Sequence, residues 1–149
     1  MIQNLLNLVK VLYVNDAIAA ASNTDDDSSI VDTAGFDGCL FLVPITDSVI
    51  TGVATMTVEQ NTANSGSGMA ALSGAQAQAT SAANDDLNNQ YLAVDVYRPR
   101  ERYLRTNLVS ATANIAFGAT IAILYSGVKA PVTQTAVAAS AVVASPAEA

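Results

Sequence analysis

Along the second half of the chain, apolar and polar residues alternate with a period of two. In "YLAVDVY" (91–97), Leu92, Val94 and Val96 share one face, and Ala93 and Asp95 share the other. In "YLRTNLVS" (103–110), Leu104, Thr106 and Leu108 point one way, Arg105 and Asn107 the other. Earlier, "VATMTVEQ" (53–60) sets Ala54, Met56 and Val58 against Thr55, Thr57 and Glu59. This period predicts antiparallel strands buried on one face. Two further runs are apolar on both faces. "CLFLVPI" (39–45) predicts a strand covered on both sides, with Pro44 placing its end near an edge or a bulge. "FGATIAILYS" (117–126) predicts a strand in the middle of a sheet.

The remaining segments are weaker signals. "SNTDDDSS" (22–29) reads as a polar loop, Ile30 and Val31 as the start of a short strand, and "AGFDG" (34–38) as a turn. "NTANSGSG" (61–68) reads as a flexible loop. "AQAQATSAA" (75–83) reads as a weak edge strand or irregular chain, because Ala and Gln also suit helices. At the start, Ile2, Leu5, Leu6, Val9, Leu12 and Tyr13 recur at helical spacing. The same stretch also fits an extended arm feeding a first strand, which Val11–Val14 favour locally. Short alternating strands separated by turn signals predict an all-β fold, an antiparallel β-sandwich or jelly roll. Its expected parts are an N-terminal arm or short helix (1–14), a β-domain (15–128) and an extended Ala/Val/Pro-rich arm (129–149). The last is a tail by composition, expected to lie on a surface, such as that of a neighbouring subunit.

Charge alters this picture. Only 13% of residues are charged and 51% are apolar. A free monomer's surface is usually about a quarter or more charged. Much of this surface is therefore expected to be covered by other protein chains. The pI near 4.1 argues against general nucleic-acid binding. The start resembles a signal peptide, but no basic residue precedes its apolar part, and Asn4, Asn7 and Lys10 interrupt it. No segment has the roughly 18 uninterrupted apolar residues of a membrane span, so no membrane partner is expected.

Positive charge is gathered in one place. Four of the six Lys and Arg residues, Arg98, Arg100, Arg102 and Arg105, stand in "YRPRERYLR" (97–105). Residues 98–102 read as a short hairpin connection, with Pro99 suited to its turn. One reading is a solvated loop whose arginines pair with Glu101 and nearby aspartates, contributing little. The other is a docking loop, since Arg makes planar, bidentate contacts to carboxylates and is enriched at interfaces. Asp25, Asp26 and Asp27 are the matching candidates on a neighbouring copy. Their spacing departs from the alternating Asp pattern of a calcium loop, so a solvated turn is expected there and no metal.

Catalytic chemistry finds little to build on. The chain has no His, the commonest general base. It also lacks a Gly-rich phosphate loop and a serine elbow. Cys39 lies in an apolar run and reads as a small buried side chain. No enzyme activity and no cofactor are expected.

The stretch "YLAVDVYRPRERYLRTNLVSATANIAFGATIAILYSGV" (91–128) runs strand, Arg-bearing turn, "RYLR" strand, polar stretch and a Gly/Ala/Thr-rich last strand. In this it resembles the capsid decoration, or cement, proteins of tailed bacteriophages with jelly-roll or β-sandwich folds. Arg102, Tyr103, Leu104 and Arg105 stand where that pattern falls, while the first half matches only in general order. The resemblance implies a homo-oligomer, trimer or dimer, made in the host cytoplasm and seated on the major capsid protein lattice at the capsid exterior. It implies no enzymatic activity. Alternatives are another virion component (head–tail, tail or fibre) or a carbohydrate-binding β-sandwich. For the last, Tyr91 and Tyr97 are the candidate aromatics.

Overall fold

The structure, a computed structural model, describes residues 4–144. Eleven strands follow one 3-10 turn at Leu5–Asn7. They are β1 (Lys10–Asn15), β2 (Ile18–Ala21), β3 (Asp25–Asp27), β4 (Val31–Asp32), β5 (Phe36–Ser48) and β6 (Val53–Asn61). After these come β7 (Ala70–Thr80), β8 (Gln90–Tyr97), β9 (Tyr103–Ala111), β10 (Ile115–Phe117) and β11 (Thr120–Gly127). Every pairing is antiparallel, in two sheets. The first sheet runs β1-β11-β5-β10-β2, with β8 on the other side of β5. The second runs β3-β9-β6-β7, with β4 also on β9. The two sheets pack face to face as a β-sandwich.

The period-two pattern explains the packing. Leu92, Val94 and Val96 of β8 are buried, as are Ala54, Met56 and Val58 of β6 and Leu104, Thr106 and Leu108 of β9. They meet Phe41, Val43 and Ile45 of β5, Ile115 and Phe117 of β10, and Leu124 of β11 in one core. Fully burying each large apolar side chain contributes about 1.5–3 kcal/mol.

Several local expectations change. The N-terminal stretch is a single turn followed by β1, and Val14 of β1 lies in the core. β5 is longer than its apolar run and alternates along its length, so it is not fully covered on both faces. Pro44 lies inside it rather than at its end. The missing N–H does no harm there, because that side of β5 faces the gap between β11 and β10. Within the gap the Gly118 N–H donates to the Pro44 carbonyl (2.8 Å). A Cβ on Gly118 would sit 2.5 Å from Pro44 Cγ, so glycine alone permits this approach. The register with β10 then skips Thr46. For the same reason the run 117–126 is two strands, β10 and β11, split at Gly118 and Ala119.

The acidic loop contains a strand. Asp25–Asp27 pair with Val109–Asn107 of β9, although Asp is a poor strand former. What offsets that preference is partnership on the sheet face, described below. The segment read as a weak edge strand is a long one, β7. It carries a bulge between its pairings with Thr57 and Glu59, where Gly74 takes a φ of +79°.

Candidate functional site

The arginine stretch is not a hairpin. β8 belongs to the first sheet and β9 to the second, so residues 98–102 arch between sheets. Alternation shows which side chains face inward but not which sheet a strand joins. The arch is pinned by Thr33 and by Asp37 at the start of β5. The Arg98 N–H donates to the Asp37 carbonyl (2.6 Å). The Thr33 hydroxyl (2.7 Å) and N–H (3.0 Å) both donate to the Arg102 carbonyl. Arg98 itself has a φ of +51°.

The four arginines divide into two pairs. Arg105, on the outer face of the second sheet, donates to Glu59 (2.6 Å) and lies 2.8 Å from Asp27. Its side chain is 17% exposed and that of Glu59 19%, so this contact is largely shielded from water. Arg102 holds Asp32 with two bonds, Nε to Oδ1 (2.7 Å) and Nη2 to Oδ2 (2.8 Å). The guanidinium keeps the Asp32 carboxyl below its ordinary range. With both side chains about half exposed, this pair contributes little stability. Arg98 stacks 5.2 Å over the ring of Tyr97. Among the described residues, neither Arg98 nor Arg100 has a carboxylate partner.

The aspartates also divide, by strand alternation. Asp25 and Asp27 point to one face, where both accept from Asn107 Nδ2 (2.7 and 2.9 Å). Asp26 points the other way and accepts from Asn15 Nδ2 (2.6 Å). The candidate acidic set is thus engaged within its own chain, with Arg105 as one partner. Across the same face Gln76 donates to Thr57 and Gln78 to Thr55. The outer face of the second sheet is a polar, internally satisfied ladder.

The outer face of the first sheet is its opposite. The registers align Tyr13, Ile121, Leu42 and Ala93 in one row, and Val11, Ile123, Leu40 and Asp95 in the next. The one charge, Asp95, accepts a bond from the Tyr125 hydroxyl (2.6 Å). The Tyr125 ring reaches it by lying over Gly38, where any Cβ would collide with it. Burial, then Asp95, pushes the Tyr125 hydroxyl up to about 12. Beneath this face, burial likewise pushes the Cys39 thiol up to about 12, so it stays a neutral, apolar side chain.

The tail lies on its own chain, across the β1 side of this face. The Val132 N–H donates to the Asn7 carbonyl (2.8 Å). The Gln134 side chain donates to the carbonyls of Val9 (2.6 Å) and Leu6 (2.9 Å) and accepts from the Val11 N–H (3.0 Å). Residues 136–141 line one cavity together with Val11, Tyr13 and Ile121. The two terminal segments together expose Leu5, Leu8, Tyr13, Val128, Val137, Val142 and Val143. Only Ile50, Tyr91 and Tyr97 are exposed large apolar residues outside them among the described residues. This patch was not legible in the sequence, because it forms where the two ends meet. Residues 145–149, including Glu148, lie outside the described residues.

No protein-family model matches the chain, and no curated protein matches it.

Proposed function

We propose that the chain is a structural virion protein, a capsid decoration or cement protein that binds the major capsid lattice and stabilises the phage head. The observation that carries this reading is the one-sided apolar surface. The paired terminal segments and the outer face of the first sheet put exposed Leu, Val and Tyr side chains on one side of the molecule. The opposite sheet face is polar and satisfied. An apolar patch of this kind, on so weakly charged a chain, is what a protein covered by a lattice presents. Its docking energy comes from many shallow apolar contacts repeated over the lattice, through multivalency. In this reading the chain works as a homo-oligomer, without catalysis or cofactor, on the capsid exterior.

The test is co-sedimentation with heads of its own phage assembled without the chain. The wild type is expected to bind at saturable stoichiometry and to raise the temperature at which heads rupture. Replacing Leu5, Val137 and Val143 together with Ser is expected to lower occupancy at least tenfold while leaving the β-fold intact by circular dichroism. Wild-type occupancy of that variant would overturn the reading. The exposed Tyr91 and Tyr97 make glycan binding the competing reading, and glycan-array binding without head binding would favour it.

A further inference from the structure

A β-sandwich has open sheet edges, and each is a template for pairing with another chain. Among the described residues, this fold blunts or shortens most of its edges, and β8 keeps the longest uninterrupted one. The amide of Gln134 occupies the outer edge of β1, donating to the Val9 carbonyl and accepting from the Val11 N–H as a strand's peptide group would. β7 is interrupted by the bulge at Gly74, which leaves the shorter run Ala75–Thr80. β3 and β4 are three and two residues long and carry Asp25, Asp27 and Asp32. β2 has four residues. β8 has eight, with neither Gly nor Pro, and pairs only with β5. The Arg98 N–H bond to Asp37 sets the phase of that pairing. By antiparallel alternation, the backbone groups of Leu92, Val94 and Val96 turn toward β5, and those of Tyr91, Ala93, Asp95 and Tyr97 face out.

We propose that β8 is the interface to a second copy of the chain, paired antiparallel through this open edge about a two-fold axis. Charge selects the occupant. β8 leaves an acidic turn, Asp85 and Asp86, and enters the basic arch, Arg98 and Arg100. Reversing one copy against another brings each basic end near the partner's acidic turn, where Asp85 and Asp86 also accept bonds from their own chain. Arg98 and Arg100 are the two arginines left without a carboxylate among the described residues. The register follows from the side chains. With the axis at Val94, Tyr91 faces the partner's Tyr97 and Ala93 faces the partner's Asp95. Shifting the axis to Asp95 would set two like charges directly opposite, which is destabilising. Tyr91 and Tyr97, 66% and 58% exposed, become two cross-strand aromatic pairs. The two first sheets join into one continuous sheet, an isologous contact that closes on itself. The tail, on β1 at the far side of the sheet, is left free.

The inference rests on the self-association part of the function proposed above, and not on capsid binding. Sedimentation equilibrium is expected to give twice the 15.3 kDa chain mass at micromolar concentration. Ala93→Pro removes only an outward N–H and is expected to raise the dimer dissociation constant at least tenfold with the fold retained. Arg98→Ser with Arg100→Ser is expected to weaken the dimer and flatten its salt dependence. Register is read by cross-linking: Ala93→Cys mixed with Asp95→Cys is expected to form a disulfide dimer on oxidation, and neither variant alone. A monomer at all concentrations, a dimer indifferent to Ala93→Pro, or a mixture that cross-links no better than its components would overturn the inference. Heads bound by a monomeric chain would overturn it and leave the capsid reading standing. A register-specific dimer that ignores heads would do the reverse.

Discussion

Thr106 shows how one atom can work against an otherwise consistent strand. It occupies an inward position of β9 and is fully buried between Leu104 and Leu108. Among the described residues, its hydroxyl finds no hydrogen-bond partner. A buried hydroxyl without a partner loses its hydration with nothing in return. Thr106→Val keeps the β-branched shape and is expected to stabilise the fold by about 1 kcal/mol, measured as a higher urea midpoint at unchanged slope. Arg105, one residue earlier, illustrates the contrary case. Alternation sends it to the outer face, where Glu59 and Asp27 converge on it. The difference between these neighbours was legible as a difference of face. The identity of the carboxylates was not, because they arrive from β6 and β3.

At the scale of elements, β1 is completed by a side chain instead of a strand. The Gln134 amide reaches both an acceptor and a donor on β1 and so ties the tail to the sheet. Gln134→Ala is expected to speed hydrogen exchange at the Val11 N–H at least tenfold and to release residues 132–144 to proteolysis. Global stability should fall by about 1.5–4.5 kcal/mol, since three bonds are lost and each is worth about 0.5–1.5 kcal/mol net. Unchanged exchange at Val11 would show that the tail holds β1 by other contacts. The arch at 98–102 is the other element that pattern alone misassigned. A hairpin and an inter-sheet arch have the same alternating flanks and a similar short connection. They differ only in the strand each flank pairs with.

For the whole molecule, titration sets the stable range. The folded state holds Asp32 below the usual carboxylate range, chiefly through Arg102. It lowers Asp86 through the Ser81 hydroxyl and then the backbone N–H groups of Ala82 and Ala83. Groups lowered on folding stabilise above their unfolded pKa, about 3.9 for Asp, and lose that contribution as pH falls through the folded value. Cys39 and Tyr125 are raised by burial, so their contribution is full below the unfolded values, about 8.5 and 10, and fades as pH rises toward 12. Melting temperature is therefore expected to be flat near neutrality and to fall on both sides. Asp86→Asn should lower the plateau and make the acid limb shallower, as read by thermal melts across pH. An acid limb unchanged in that variant would remove Asp86 from this account.

The amino-acid sequence by itself determined the all-β class, the inward faces of β6, β8 and β9, and the concentration of positive charge at 97–105. These are local properties: side-chain direction in a strand repeats every two residues, and charge is counted along the chain. Only the tertiary structure decided which sheet each strand joined, that Asp25–Asp27 form a strand, and that Pro44 sits within β5. It also decided that Arg102 and Arg105 have carboxylate partners while, among the described residues, Arg98 and Arg100 do not, and that the two chain ends meet. Each of these depends on which distant segments meet. Pairing energy is shared between residues tens of positions apart, and neither partner carries a mark of it alone.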